Sequence, residues 1–314
     1  MGYKKAGFRV LGNVELDPAI NDIYIYNQHP KYNFRMDLRD FNSIPDDEIP
    51  EELKHLDILD GSPPCSTFSM AGAREKGWGK EKKFREGQKK QRLDDLFFVF
   101  LKTVEKLKPK VVVAENVKGL TAGNAKGYVN EIIKEFRRLG YECQLFLLNA
   151  AFMDVPQSRE RVFFIANRCG FKPLELKFKQ PLIKFGEVRS PKGKEIKSEK
   201  LKKILQYMTP NDRAVSEIYI RRENKNKLFS SRIMQDHNVC YTITSSGEKI
   251  RGFDKTYLSD EYIIHCSTFP EDYDFKDQSP EYVCGMSVPP NMMAHIAEEI
   301  WRQWLNHDTK KMEK

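Results

Sequence analysis

The sequence predicts an α/β protein built on a Rossmann-like, doubly wound and mostly parallel sheet, with a second, smaller and irregular domain. Strand-like and helix-like segments alternate over the first two-thirds of its 314 residues, and a hydrophobic content of 40% suffices for a large core. From about residue 169 the sequence turns lysine-rich, with only short β-prone pieces. We expect a sheet domain over 1–168 and 285–314, and a basic domain over 169–284.

The first predicted elements lead to a cysteine-bearing loop and a buried strand. Val10 to Val14 is typical of a strand, and Ile58-Leu59 of another. Apolar residues at helical spacing predict a helix over Leu96 to Leu107 that ends before a proline. The run Lys110 to Ala114 predicts a fully buried strand, with Glu115-Asn116-Val117 at its C-terminal end.

The following elements complete the alternation. A helix is predicted over Tyr128 to Phe136, and strands over Gln144 to Leu148 and Val162 to Ala166. A terminal helix is predicted from about Asn291, with one apolar face packed on the core. That face carries Met293, Ile296, Ile300, Trp301 and Trp304.

Cys65 lies in a rigid loop directly after a predicted strand. Pro63 and Pro64 fix the backbone angle φ and remove two main-chain donors, so the loop holds its shape without a surrounding helix. In doubly wound sheets ligands bind beyond the carboxyl ends of the strands, where Glu15, Cys65 and Glu115 all fall. The alternative for a lone cysteine is a small buried apolar residue.

Composition limits the classes of partner and cofactor. The net charge of +8 and the pI near 9.0 permit a polyanionic partner. Residues 74–92 hold nine Lys or Arg against three Glu, which indicates a mobile basic loop or, alternatively, a solvated surface loop. No long apolar run, C-x-x-C pair or H-E-x-x-H motif occurs, so we predict no membrane span, disulfide framework or metal site.

Several motifs in order resemble the C5-cytosine-specific DNA methyltransferase family of bacterial or phage restriction-modification systems. Gly61-Ser62-Pro63-Pro64-Cys65 matches its Pro-Cys motif, and Glu115-Asn116-Val117 matches its E-N-V motif. Gln157 to Arg161 matches Q-x-R-x-R, and Gly285 to Pro289 is similar to G-N-x-V-P. The resemblance covers nearly the whole chain and implies a class I methyltransferase fold.

The resemblance implies a covalent mechanism. The Cys65 thiolate would add to C6 of cytosine, because C5 alone is too weak a nucleophile to accept a methyl group. Glu115 would share a proton with N3, and Arg161 would bind O2 with support from Arg159. The alternative for both arginines is an ordinary salt bridge with Glu115 or Glu160.

The methyl donor that the resemblance implies is S-adenosylmethionine. Glu15 would accept hydrogen bonds from the ribose hydroxyl groups. Asp37 and Leu38 would contact adenine, whereas Pro64 and the backbone around Ser287-Val288 would line the methionine end. The alternative for Glu15 and Asp37 is that both are ordinary surface carboxylates.

Two departures from the family pattern concern cofactor binding. Met1 to Phe8 resembles the end of the helix that follows the family's glycine-rich F-x-G-x-G-G turn, so we expect the central strand and that turn to be absent from this sequence. Either translation starts upstream, or the protein is a defective relative. Met286 replaces the usual asparagine, whose hydrogen bonds a thioether cannot make.

The implied partner is double-stranded DNA. The target base must leave the helix stack, while basic groups of the 74–92 loop and the 169–284 target-recognition domain hold the phosphates. We expect a monomer that acts in the prokaryotic cytoplasm, at the nucleoid. Two alternatives stay open: an RNA C5-cytosine methyltransferase, and a DNA-binding relative that has lost catalysis.

Overall fold

The computed structural model describes residues 1–63, 96–121, 125–188, 190–224 and 231–306. The helices are α1 Gly2–Lys5, α2 Pro18–Gln28, α3 Leu38–Ser43, α4 Leu96–Leu107, α5 Ala125–Arg138, α6 Phe185–Val188, α7 Glu199–Leu205, α8 Val215–Glu223, α9 Asp260–Cys266, α10 Pro280–Met286 and α11 Pro290–Ile300. The strands are β1 Gly12–Val14, β2 Tyr32–Phe34, β3 Ile58–Gly61, β4 Val111–Val117, β5 Glu142–Asn149, β6 Gln157–Ser158, β7 Glu160–Asn167, β8 Arg232–Met234, β9 Cys240–Tyr241 and β10 Lys249–Arg251.

The central sheet has the strand order β3-β4-β7-β5. Strand β3 runs parallel to β4, whereas β7 is antiparallel to both of its neighbours, so three of the four strands share one direction. Strands β1 and β2 form a separate parallel pair. Within the described residues, no strand bridges β1 and β3, and the Tyr3 hydroxyl group of the N-terminal segment instead donates to Asp60 at the end of β3.

Helices cover both faces of the central sheet, which confirms the predicted doubly wound class. On one face, Val112 and Ala114 of β4 pack against α4 and α5. On the other face, Val111 and Val113 pack against α11. All four residues are completely buried, as the apolar run in the sequence predicts.

Helix α11 differs from its prediction at one tryptophan. Met293, Ile296, Ile300 and Trp304 are buried, but Trp301 is 40% exposed and meets Phe8 edge-to-face. The helix passes into a wider π turn over Trp301–Leu305. Because this change of pitch moves Trp301 off the core face, its prediction as a core residue is wrong.

Residues 185–284 contain two apolar clusters of their own. One cluster joins α7 and α8 to β8 and β10. The other is built around α9 and α10 but also takes in Ile23 of α2, which is 2% exposed. Asn27 of the same helix exchanges two hydrogen bonds with the main chain of Asp274. Helix α2 therefore connects the N-terminal part of the chain to residues 185–284.

The structure also bears on membranes and metals. In the parts of the chain described above, every helix is too short or too polar to cross a lipid bilayer. The same parts contain no group of three His, Cys, Asp or Glu side chains placed to hold a metal ion. Absence of a metal site from the whole protein stays a prediction.

Candidate active site

Glu115 and Arg161 form a half-buried ion pair at the carboxyl end of β4. The register of β4 and β7 sets Arg161 opposite Val117, two residues beyond Glu115, and side chains two residues apart share a face. The Arg161 Nε atom lies 2.9 Å from Glu115 Oε1, and the two side chains are 15% and 13% exposed. The structure thus brings together two of the residues that the sequence assigns to the site.

The electrostatics of this pair keep a proton on Glu115 more readily than in water. Burial raises the pKa of the Glu115 carboxyl group, while the charges of Arg161 and Arg159 and a hydrogen bond from Ser62 oppose the rise. Burial lowers the pKa of Arg161, and Glu115 opposes that shift. A carboxyl group that can hold or release a proton next to a guanidinium group is suited to general acid–base chemistry.

Arg159 is fully buried behind this pair and binds main chain. Its Nη1 atom donates to the Ile243 carbonyl oxygen and its Nη2 atom to the Gly285 carbonyl oxygen, both at 2.7 Å. The residue is 1% exposed, and burial lowers its pKa. Arg159 therefore joins the β6–β7 corner to α10 and to the segment after β9.

Asn116 anchors the start of the cysteine-bearing loop. Its Nδ2 atom donates to the Pro63 carbonyl oxygen at 3.1 Å, and its Oδ1 atom accepts from the Val117 amide at 2.9 Å. Pro64 and Cys65 themselves lie outside the described residues, as does the basic loop at 74–92. The contact fixes the last described residue before them to the strand that carries Glu115.

A cavity of roughly 230 Å³ opens beside Glu115. Asp60 and Ser62 line it from β3 and the turn after it, and Ser287 and Val288 line it from the end of α10. Gln28 also lines it: this residue is 2% exposed, and neither atom of its amide group has a hydrogen-bond partner in the described part of the chain. The remaining lining residues are Met1, Gly2, Tyr3, Phe269, Tyr273, Met286, Pro290 and Met293.

Asp60 gives the cavity a pH-dependent charge. Enclosure in protein raises its pKa to about 6, the Tyr3 hydrogen bond opposes this rise, and the Glu115 charge adds to it. A raised pKa favours the folded state at low pH, and this contribution is lost as the pH rises through about 6. The residue keeps contact with the open cavity, so solvent screening weakens the effect.

We expect Asp60→Asn to remove this contribution. Relative to the wild type, the variant should gain thermal stability as the pH rises from about 4 to about 6, and the difference should level off above that; melting curves across pH 4 to pH 7 measure it. Asp57→Asn is the matched control. Asp57 lies three residues before Asp60 in the chain and forms an exposed ion pair with Lys110. A melting difference between wild type and Asp60→Asn that does not change with pH would contradict the assignment.

The three predicted adenosine-binding residues lie at the ends of β1 and β2 and do not line this cavity. Glu15 accepts a hydrogen bond from the Asp17 amide at 2.7 Å, and burial raises its pKa. Asp37 caps α3 by accepting from the Arg39 amide at 2.8 Å. Leu38 packs against the apolar cluster below β2. Their roles toward a cofactor stay predictions.

Gly285 allows α10 to touch the segment after β9. A Cβ atom at this position would lie 2.2 Å from the Ser245 amide nitrogen and 2.3 Å from the Thr244 carbonyl carbon. Both neighbours are backbone atoms, so the segment itself would have to move. The glycine of the fourth motif thus has a packing function, next to the turn that carries Ser287 and Val288.

We expect Gly285→Ala to destabilise the fold by about 1–3 kcal/mol, the usual consequence of overpacking a tight contact. Urea unfolding followed by circular dichroism measures the change. Gly127→Ala is the control, because a Cβ atom there has open space around it and the residue lies within α5. That change should be neutral or stabilising by up to about 1 kcal/mol. Equal stability of the two variants would contradict the packing argument.

Three features of the site were not predicted from the sequence: Asp60, Gln28 and the anchoring function of Asn116. Asn116 stands inside a recognised motif, so its position beside Glu115 was an available signal. Nothing in the sequence around Gln28 marks it, because the cavity it faces is formed by distant segments. Asp60 had one signal, its place at the end of a predicted strand next to the cysteine loop.

A family profile and individual known proteins both match this chain. The profile described as C-5 cytosine-specific DNA methylase matches residues 1–302. The Type II methyltransferase M1.HphI of Haemophilus parahaemolyticus is 33% identical over 58% of this chain and 45% of that protein. The Type II methyltransferase M.Sau96I of Staphylococcus aureus is 27% identical over 96% of this chain and 72% of that protein. The chain therefore spans less than half the length of M1.HphI.

The fold is also found among solved structures. A DNA modification methyltransferase encoded within an E. coli prophage superposes with a TM-score of 0.67 at 17% sequence identity. The match covers 97% of this chain and 95% of that one. At this level of identity the likeness establishes the fold alone.

Proposed function

We propose, from the premise that this chain belongs to the C-5 cytosine-specific DNA methylase family, that it methylates C5 of cytosine in double-stranded DNA. The observation that carries the proposal is the Glu115–Arg161 pair, half-buried beside a cavity and directly beyond the turn that leads to Cys65. Three motifs that are far apart in the sequence meet there. The E-N-V motif contacts the Pro-Cys motif through the hydrogen bond from Asn116 to Pro63, and it contacts the Q-x-R-x-R motif through the ion pair between Glu115 and Arg161.

The residues supply a covalent route. The Cys65 sulfur donates an electron pair to C6 of the extruded base, which moves negative charge onto the ring. Glu115, with its raised pKa, gives a proton toward N3 and so neutralises that charge. Arg161 holds Glu115 in place and directs its remaining N–H groups to the base oxygen O2. After C5 has taken up the methyl group, its proton passes to water, the C6–S bond breaks to release the Cys65 thiolate, and N3 returns its proton to Glu115, which restores the aromatic ring.

The cavity residues fit S-adenosylmethionine as the methyl donor. Asp60, Glu115 and Ser62 present acceptor atoms, and the unpartnered Gln28 amide group offers both a donor and an acceptor. Acceptors suit a donor whose sulfonium and ammonium groups are positive. When bound, this cofactor supplies an electrophilic methyl group. Ser287, Val288 and Pro64 would hold its amino-acid end, and Glu15, Asp37 and Leu38 its adenosine end.

Double-stranded DNA is the proposed partner, and the bacterial cytoplasm, at the nucleoid, is the proposed location. Residues 169–284 would form the target-recognition domain, supported by the separate apolar clusters within 185–284. The basic sequence 74–92 would approach the DNA from the other side. The named relatives are Type II methyltransferases, which supports a restriction-modification setting.

Transfer of a labelled methyl group tests the proposal. The purified chain is incubated with S-adenosylmethionine and either duplex DNA or transfer RNA, and the labelled base is identified after nuclease digestion. We expect 5-methylcytosine in DNA alone. Label in transfer RNA alone would support the RNA alternative instead, and DNA binding without transfer would support the relative that lacks catalysis.

A further inference from the structure

Lys249, at the start of β10, is a buried cation with all three of its N–H donors in use. Its Nζ atom donates to the Gly247 carbonyl oxygen at 2.6 Å, to Glu281 Oε1 at 3.0 Å and to the Thr244 hydroxyl group at 3.2 Å. The side chain is 5% exposed, and that of Glu281 is 28% exposed. Two of the three acceptors belong to residues 244–248, which we call the 244–248 loop, and the third belongs to α10.

Burial of an ammonium group in this position lowers the stability of the fold unless its three hydrogen bonds serve another purpose. Removing a lysine charge from water carries a penalty that an ion pair only partly offsets, and an apolar residue of similar length would fill the space at less cost. Lys249 closes the loop on itself through two acceptors and fastens it to α10 through the third. The main effect of this arrangement is to fix one conformation of the loop, and its contribution to stability is small.

The other end of the loop is also fixed. Arg159 binds the Ile243 carbonyl oxygen directly before it, and Gly285 allows α10 to touch Ser245. Arg159 in turn lies beside the Arg161 and Glu115 charges. The loop therefore starts next to the candidate active site and is held at both ends by buried cationic side chains.

The exposed side of the loop is rich in unused donors. The main-chain N–H groups of residues 246–248, which are exposed, make no hydrogen bond to any described residue, whereas the Ser245 amide lies against Gly285 of α10. Gly247 has a φ of +103°, which turns the backbone in a way that a residue with a side chain rarely adopts. Glu248, the one carboxylate in the loop, accepts a hydrogen bond from the Tyr257 hydroxyl group. Successive free amide groups in a turn form a concave site that attracts anions such as phosphate.

We propose that Lys249 is a positioning residue that holds the 244–248 loop rigid so that its amide and hydroxyl groups bind DNA phosphates beside the target cytosine. The inference rests on the proposed function. Phosphate contacts of this kind set the position of the duplex and carry no sequence information of their own. Rigidity matters because a small misplacement of the substrate lowers the rate even when it arises far from the reacting atoms.

The test measures DNA affinity by fluorescence anisotropy, together with kcat and the KM values for DNA and for the methyl donor. For Lys249→Met we expect DNA binding to weaken by about tenfold and the KM for DNA to rise in proportion, with the KM for the donor unchanged. Lys249→Arg, which keeps the charge, should recover part of the loss. Lys134→Met is the control and should bind as the wild type does, because it removes an exposed ion pair with Glu131 on α5, outside both basic regions assigned to DNA binding.

A second pair of variants leaves Lys249 and the fold intact. Ser246 is exposed, so Ser246→Asp places a negative charge on the loop and Ser246→Asn leaves it neutral. We expect the aspartate to weaken DNA binding by about tenfold and the asparagine to have little effect, and the difference should shrink as salt is added. Unchanged DNA affinity in Ser246→Asp, or in folded Lys249→Met, would overturn the inference. A wild type that binds DNA but transfers no methyl group refutes the proposed function and leaves the loop assignment standing.

Discussion

Cys65→Ser is expected to lower methyl transfer to cytosine by about four orders of magnitude or more, as when other covalent nucleophiles are removed. The serine hydroxyl group stays protonated at neutral pH, whereas a thiol is ionised in part and is intrinsically a far better nucleophile. Transfer of labelled methyl to duplex DNA measures the rate. DNA binding should be nearly unchanged, because the substitution replaces a single sulfur atom by oxygen and removes no contact to a DNA phosphate.

The covalent step can also be observed directly. With S-adenosylmethionine present and fluorine at C5 of the target cytosine, the methylated ring has no C5 proton to lose, so the bond between sulfur and C6 should persist and the protein should migrate with the DNA in a denaturing gel. Cys65→Ser should form no such species. Cys169→Ser is the control and should behave as the wild type, because Cys169 is an exposed cysteine outside the candidate site. Full transfer activity in Cys65→Ser would refute the covalent mechanism.

Glu115→Gln is expected to lower kcat by about 10²- to 10⁴-fold, the usual contribution of a general acid. The amide has nearly the shape of the carboxyl group but cannot pass a proton to N3, and it no longer pairs with the Arg161 charge. Single-turnover methylation measures the effect on the chemical step. The KM for DNA should change much less than kcat.

Glu160→Gln provides the comparison in the neighbouring strand. Glu160 pairs with Lys118 at the surface, where both side chains are well exposed, so its loss should change the rate by less than about twofold. If Glu115→Gln and Glu160→Gln had the same modest effect, Glu115 would be a structural partner of Arg161 and not an acid. The ion pair that the sequence analysis kept as an alternative would then be its whole function.

Most of the sheet was predictable from local patterns. The apolar run before Glu115 gives a strand whose residues 111–114 are completely buried, and the spacing of apolar residues over 96–107 gives α4, which ends at Leu107 as predicted. The reversed direction of β7 was not predictable, because strand direction depends on pairing with β4 and β5 and leaves no mark in the strand's own residues. Trp301 failed for a similar reason, since its exposure depends on a local change of helical pitch.

The site residues that belong to sequence motifs were predictable, whereas those that depend on tertiary contacts between distant segments were not. Glu115 and Arg161 were assigned from their motifs and do meet. The carbonyl groups that Arg159 binds lie 84 and 126 residues away along the chain, and no spacing rule identifies such partners. Lys249 is similar: among 53 lysines and arginines in this chain, only the fold distinguishes a buried ammonium group from a solvated one.

The placement of α2 has a mechanical consequence. Swinging residues 185–284 away from the sheet would pull Ile23 out of its cluster, at about 2 kcal/mol, and break the two hydrogen bonds at Asn27, at about 1 kcal/mol each. Such a hinge would open only rarely. Helix α2 and the apolar cluster around α9 and α10 should therefore move as one body.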